Sequence, residues 1–236
     1  SNYFEPKNAV AAIHVLRAAG RRVRVVTAAD GGRPLCCGRT FLSAGLVDEA
    51  RAEAVRLVRA LVPYVADGTP VVGLEPACTL TLRDEIPALL PGPETAALAR
   101  HVKLFEEYLA AEAGAGRLNL PLKPSPGRRA LLHGHCHQKA FGVMGDVEGA
   151  LGLVPGLEIE VIESGCCGMA GSFGFEAEHY ALSMKMAELD LLPTIRAAAD
   201  EALVVAGGTS CRQQIRHGTG REALHVARVL EAALES

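Results

Sequence analysis

The chain lacks any apolar run approaching the roughly 20 residues that a membrane-spanning helix needs. Its N-terminus carries no basic stretch followed by a hydrophobic core. Neither a span nor a secretory leader is read from it, and a soluble, cytoplasmic protein is expected, one that reaches a membrane surface only through partners. It also lacks a basic face: 24 Lys and Arg are scattered among 27 Asp and Glu, for a net charge of -3, which argues against a nucleic-acid partner. A dinucleotide fingerprint is missing too. The turn Gly207-Gly208-Thr209 could cradle a phosphate but has the wrong spacing, so no flavin or nicotinamide site is visible. Finally, the cysteines do not make an even set. Seven of them in 236 residues, a chain too large to need stapling, argue for thiol or metal chemistry over a disulfide framework. With 49% hydrophobic residues the chain can bury a sizeable core. Its opening, "SNYFEP", has no Met and reads as the start of a piece of something longer.

What is present is a duplication. "RPLCCGRTFLSAG" (33–45) and "ESGCCGMAGSFGF" (163–175) both centre on Cys-Cys-Gly, each followed by a helix-patterned stretch. A strand ending in one more cysteine comes next: "PVVGLEPACT" reaches Cys78 and "ALVVAGGTSC" reaches Cys211. The intervals agree, with 40 residues between Cys37 and Cys78 and 43 between Cys167 and Cys211. The second copy has an earlier element, "RALLHGHCHQKA", which delivers Cys136 with 29 residues separating it from Cys166. The first copy has no counterpart, and its equivalent is expected upstream of Ser1, because "NYFEPKNAVAAIHVLRAAG" already reads as the helix after such a strand.

Strand-like runs fall at 22–28, 70–75, 129–133, 158–163 and 201–206, and helical patterns separate most of them. That alternation predicts an α/β fold with parallel sheets. The matched order predicts two tandem repeats, each a small parallel sheet flanked by helices, related by a pseudo-twofold axis. The expected divisions are a first repeat over 1–92, a helical linker over 93–127 and a second repeat over 128–236. Within the linker, Phe105 and Leu109 stand at i and i+4 as core contacts. In "GLVDEARAEAVRLVRALV", Val47, Ala50, Ala54, Leu57 and Leu61 form the apolar stripe. In parallel sheets ligands gather beyond the carboxyl ends of the strands, and Cys78, Cys136, Cys166, Cys167 and Cys211 all follow a predicted strand end.

Adjacent thiols in a tight loop can reach two metal atoms of one polynuclear centre, whereas a mononuclear tetrahedral site prefers spaced pairs such as Cys-x-x-Cys. Cys166-Cys167 therefore points to a cluster. Gly165, Gly168 and Gly171 permit positive φ and close backbone approach, and a helix starting near Phe173 would add its positive end. His133, His135 and His137 alternate as on a strand. Ordinary polar packing is the expectation for His133, while His135 and His137 are read as supporting groups or replacement ligands.

At these motifs the chain resembles the cysteine-rich (CCG) domain family, which includes the B subunit of heterodisulfide reductase, the iron–sulfur subunit of glycolate oxidase, the C subunit of anaerobic glycerol-3-phosphate dehydrogenase and lactate-utilisation proteins. "NYFEP", "LEPACTLTLRDE", "HGHCHQKA", "SGCCGMAGSFGFE" and "GGTSC" look most like the C-terminal portion of FAD-linked oxidases. The resemblance spans nearly the whole chain. It implies an iron–sulfur electron-transfer module of an FAD-linked 2-hydroxy-acid oxidoreductase, not catalytic alone. FAD would lie only on an upstream domain or partner subunit, with a ferredoxin-like iron–sulfur segment as a further partner. In the heterodisulfide reductase relative each complete motif, Cys, Cys-Cys, Cys-x-x-Cys, holds a non-cubane 4Fe-4S cluster. Carried over, the second repeat keeps Cys136, Cys166, Cys167 and Cys211 as cluster and metal ligands, and the first keeps only Cys36, Cys37 and Cys78, a weaker set. The terminal position of the pattern holds Gln214 in one copy and Thr81 in the other. A structural zinc module on the same thiolates and a cofactor-free interaction domain are the alternatives.

Overall fold

Short apolar strands joined through helices must pair in parallel, because a tight turn can only return a strand antiparallel. The computed structural model describes residues 4–28 and 32–235, and every one of its sheet pairings is parallel. Asn2 and Tyr3 of the first motif lie outside the described residues. The chain divides into two compact units. One is Arg24–Leu104, and the other combines the described residues up to Val23 with those from Phe105 onward.

After α1 (Pro6–Ala18), the Arg24–Leu104 unit holds α2 (Arg39–Ser43), α3 (Val47–Ala66), β1 (Val71–Gly73), α4 (Pro76–Thr81), α5 (Glu85–Leu89), α6 (Pro93–His101) and β2 (Val102–Leu104). The remainder runs α7 (Phe105–Gly114), β3 (Arg129–His133), α8 (Cys136–Ala140), α9 (Met144–Leu151), β4 (Glu158–Val161), α10 (Tyr180–Ala187), α11 (Leu191–Ala197), β5 (Leu203–Ala206), α12 (Thr209–Thr219), β6 (Ala223–Leu224) and α13 (Val226–Ala233). The α/β class with helix-flanked parallel sheets is thus what the alternation predicted.

In the Arg24–Leu104 unit, β1 pairs with β2 in a two-stranded sheet. β2 lies inside the stretch read as a helical linker. Val102 and Leu104 are buried while Lys103 is partly exposed, a period of two that suits a strand. The apolar stripe of α3 is Ala50, Ala54, Val58, Leu61 and Val65; Val47 is exposed and Leu57 half-buried, so the buried face is turned slightly from the expected one. The core adds Cys37, Leu82, Ile86 and Leu98. The strand expected over 22–28 does not form. Those residues run as irregular chain, for Arg22 and Arg24 punctuate the valines and only Val26 packs against the core cluster.

In the other unit the sheet order is β4-β3-β5-β6. β3 is central and buried from Ala130 to His133, as expected of a parallel strand covered on both faces. Leu131 and Val204 pack on one side with Leu191, Leu192, Ile195 and Ile215, and this same cluster contains Cys167 and Cys211. α1, which has Pro at its first position, packs on α13. Phe105 and Leu109 of α7 are both fully buried, as their spacing anticipates. Leu132→Ala, at a site with 0% exposure, is expected to lower unfolding stability by about 2–5 kcal/mol, while Leu189→Ala, 76% exposed, stays within about 0.5 kcal/mol; urea unfolding checks both.

Candidate metal centre

Three short connections in one unit and a fourth in the other carry the cysteines. β3 ends in His133 and leads through Gly134 and His135 to Cys136, the first residue of α8. β4 leads into the Ser164–Gly171 loop with Cys166 and Cys167, and β5 leads to Cys211, third residue of α12. In the other unit β1 leads to Cys78, third residue of α4. Each sits just past a strand's carboxyl end.

The Cys-Cys-Gly loop has one geometry in both copies. The amide of Gly168 donates to Cys166 Sγ at 3.4 Å, and the amide of Gly38 donates to Cys36 Sγ at 3.4 Å. Both glycines are left-handed, with φ of +88° and +80°. A Cβ on Gly168 would stand 2.1 Å from the Ser183 carbonyl oxygen, so no other residue fits. Ala170 and Gly171 also have positive φ, whereas Gly165 does not. No α-helix starts at Phe173. Two 3-10 turns, Phe173–Phe175 and Ala177–His179, precede α10, so the loop's own amides, not a helix end, act on the sulfurs. Lys139 Nζ ties the loop down from α8 by donating to the carbonyls of Ser164 and Gly165.

The thiols influence one another in turn, Cys136 with Cys166, Cys166 with Cys167 and Cys167 with Cys211. Cys136 and Cys167 both donate to Cys166, and these bonds, with the amides of Gly168 and Ala170, hold the Cys166 thiol far below its ordinary range. Its contact with Cys167 and a hydrogen bond from His133 hold Cys211 well below that range. Cys136 and Cys167 move the opposite way: Cys166 and burial push Cys136 up, and Cys166, Cys211 and burial push Cys167 up. Metal ligation needs deprotonated thiols, and the lowered Cys166 and Cys211 favour it. Cys167 and Cys211 are buried, Cys166 is half-buried and Cys136 is exposed.

His133, expected to pack as a polar group, does so and also stands beside two of the thiols. It is buried, its Nδ1 lies 3.0 Å from Ser164 Oγ, and a ring nitrogen lies within 4.8 Å of the sulfurs of Cys167 and Cys211, which lie equally close to each other. His135, Cys136 and His137 make a second such triple. There His135 Nδ1 accepts from the His137 amide at 3.1 Å and caps α8, and burial holds this imidazole below the ordinary histidine value. A Cβ on Gly208 would stand 2.3 Å from His135 Cδ2 and 3.4 Å from Cys211 Sγ, so this turn is needed bare to seat His135 beside Cys211. His133 could have been found in the sequence as the last residue of the strand that delivers Cys136.

In the Arg24–Leu104 unit Cys36 donates to Cys37 and Cys37 to Cys78. The bond to Cys37 and burial raise Cys36. The bond from Cys36 lowers Cys37, but its bond to Cys78 and its burial outweigh this and push it up to about 12. Cys78, exposed, is lowered by the bond from Cys37. No imidazole joins these three among the described donor groups. At the terminal positions, Gln214 donates to Ser183 Oγ at 3.0 Å and Thr81 to the Ala77 carbonyl at 2.8 Å, so both serve packing within the fold.

These residues define a class: an α/β protein whose clustered thiols and imidazoles form a donor set suited to metal. No protein-family model matches the chain. It is similar to the C subunit of anaerobic glycerol-3-phosphate dehydrogenase from Escherichia coli (strain K12), 32% identical over 234 residues, covering 99% of this chain and 57% of the relative. It is also similar to D-2-hydroxyglutarate dehydrogenase of Pseudomonas putida, 29% identical over 234 residues, 98% of this chain and 21% of that protein. The enzyme of that name from Escherichia coli (strain K12) is 29% identical over 164 residues, 69% of this chain and 15% of its own length. The chain thus spans little more than half of the first relative and about a fifth or less of the others. These homologues agree with the resemblance of the motifs to the CCG region of FAD-linked oxidases, and they make the chain a relative of oxidoreductase components. Among the described residues no helix is long and apolar enough to cross a membrane.

Two outcomes are expected of the metal-free protein. Gly168→Ala forces a side chain into the left-handed region and against Ser183, lowering stability by at least about 1–3 kcal/mol in urea unfolding. At about pH 6.5, below the ordinary thiol value, Cys166 stays thiolate while Cys36 stays protonated, so iodoacetamide labels Cys166 before Cys36, as peptide mass mapping will show.

Proposed function

We propose that this chain is the iron–sulfur electron-transfer module of a flavin-linked dehydrogenase, with Cys136, Cys166, Cys167 and Cys211 holding a 4Fe-4S cluster. The observation that carries the reading is the delivery of four cysteines just past the carboxyl ends of β3, β4 and β5, two of them adjacent in a glycine-cradled loop. Such a cluster supplies a one-electron carrier. The chain's own residues do the rest. Cys167 and Cys211 bury one side of the centre in the apolar core, which excludes water. The Gly168 amide donates to Cys166 sulfur and stabilises its negative charge, which tunes a cluster's potential. Cys136, exposed, leaves an edge open toward an electron partner.

The relatives' names support dehydrogenases of hydroxylated anions as the setting, glycerol 3-phosphate or a 2-hydroxy acid. FAD then belongs to an upstream domain or partner subunit, and a ferredoxin-like segment stands between them. A cytoplasmic location, with any membrane contact made through partners, goes with that reading. The shared turn of the two Cys-Cys-Gly loops and the third-residue placement of Cys78 and Cys211 on their helices support tandem repeats related by a pseudo-twofold axis. The Cys36, Cys37, Cys78 set, with three thiols and no imidazole, is proposed as vacant or weakly metallated. A second reading, structural zinc, draws on the compact triple of His133, Cys167 and Cys211.

Anaerobic reconstitution with iron and sulfide decides between them. The wild type is expected to become brown, with about four iron and four sulfide per chain, the composition of one such cluster. Cys166→Ser/Cys167→Ser loses both, and Cys36→Ser/Cys37→Ser keeps most of them. A colourless protein carrying zinc supports the second reading, and iron retained by the first double variant but lost by the second assigns the cofactor to the wrong set.

A further inference from the structure

We infer that His133 is a nitrogen ligand of the metal centre, completing it beside Cys167 and Cys211 where the terminal position of the cysteine pattern holds Gln214. The inference rests on the cluster reading above for the identity of the metal, but its geometry does not. A ring nitrogen of His133 and the sulfurs of Cys167 and Cys211 lie within 4.8 Å of one another. Donors on one ion with bonds of about 2.0–2.3 Å stand about 3.5–3.8 Å apart. A closing movement of about 1 Å would bring all three onto a metal.

The hydrogen bonds around the ring decide which nitrogen is offered. Ser164 Oγ lies 3.0 Å from His133 Nδ1 and 3.5 Å from the Ile162 carbonyl. Ser164 thus occupies Nδ1; in the tautomer with Nδ1–H, Oγ accepts from the ring, and Nε2 offers a metal its lone pair in place of the hydrogen bond it gives Cys211 in the metal-free protein. A metal-bound imidazole almost always donates its other N–H to a fixed acceptor in this way. Ser164 is held in turn, because Lys139 donates to its carbonyl. The sequence places the acceptor in the loop that carries Cys166 and the ring on the strand that leads to Cys136, so both parts assemble only in the folded sheet.

The other candidates are committed elsewhere. His135 Nδ1 is used as the cap of α8, and Gln214 spends its amide on Ser183. His133 is also the deepest of the three neighbouring histidines, with 1% exposure against 7% for His135, and buried depth is where Cys167 and Cys211 lie. A neutral imidazole in place of a thiolate leaves the centre less negative, so its reduction potential stands higher than that of an all-cysteine centre.

Two measurements on the intact chain test this. In the first, the metal-free protein is titrated with Co(II). Wild type is expected to show sulfur-to-cobalt charge-transfer bands, and His133→Ala to bind at least about tenfold more weakly with a shifted d–d envelope. Ser164→Ala, which leaves every donor in place, is expected to weaken binding about tenfold. In the second, anaerobically reconstituted, reduced protein is examined by pulsed EPR. A strongly coupled nitrogen is expected in wild type. His133→Cys is expected to keep the iron, lose that coupling and shift the midpoint potential to a more negative value, while His135→Ala/His137→Ala keeps the coupling. No cobalt binding by wild type, cobalt spectra unmoved in His133→Ala, or a nitrogen coupling that is absent, weak or retained in His133→Cys overturns the inference. Cobalt behaviour as expected in a chain that takes up no iron and sulfide instead upholds His133 and removes the cluster reading. If His133→Ala does not fold, by circular dichroism, Ser164→Ala and His133→Cys carry the test.

Discussion

The site depends on the level register of three parallel strands. Leu132 of β3 stands opposite Val161 of β4 and Val205 of β5, and His133 stands opposite Ala206. The three strands therefore end at one height, and all three chains leave the sheet at the same edge. A slip of one residue would turn His133 to the opposite face, because side chains alternate along a strand. Parallel strands also need long returns, so Cys136, Cys166 and Cys211 meet although helices separate them in the chain.

What those connections deliver is an arrangement with a physical cost. Cys167 and Cys211 sit among leucines and isoleucines, where an unpaired polar group is expensive. The cost is offset within the group, since each donor thiol serves an acceptor sulfur and His133 reaches Cys211. A set that holds Cys166 and Cys211 toward thiolate is ready to take a cation. Buried cysteines that only fill space have no need of the left-handed glycine, the bare turn at Gly208 or the lysine clamp on the loop.

The Arg24–Leu104 unit repeats the motif on a lesser scaffold. Its sheet has only β1 and β2, and among the described residues no strand in it delivers a fourth cysteine or a histidine to the thiols. Its loop is braced by charge instead: Glu53, buried, receives both Arg33 and Arg56, and Arg56 also donates to the Arg33 carbonyl. That carboxylate raises the Cys36 thiol further, after the larger effects of its bond to Cys37 and its burial. The same Cys-Cys-Gly turn thus stands in two electrostatic settings. Thiolate is favoured at Cys166, and thiol at Cys36.

Periodicity and repetition by themselves determined the α/β class, the positions of β1, β3, β4 and β5, and the rule that cysteines follow strand ends, because burial of alternating or continuous apolar runs leaves few other choices. They did not determine that 22–28 stays irregular or that Val102–Leu104 forms a strand. Both depend on whether a neighbour offers a free edge, and that neighbour is remote in sequence. The adjacency of Cys166 and Cys167 and the need for glycine at 168 were legible in the motif, since two side chains and one left-handed turn are local facts. The role of His133 was not. Its chemistry lies in an acceptor 31 residues away and a sulfur on another strand, and only the parallel register of β4, β3 and β5 put them within reach of one ring.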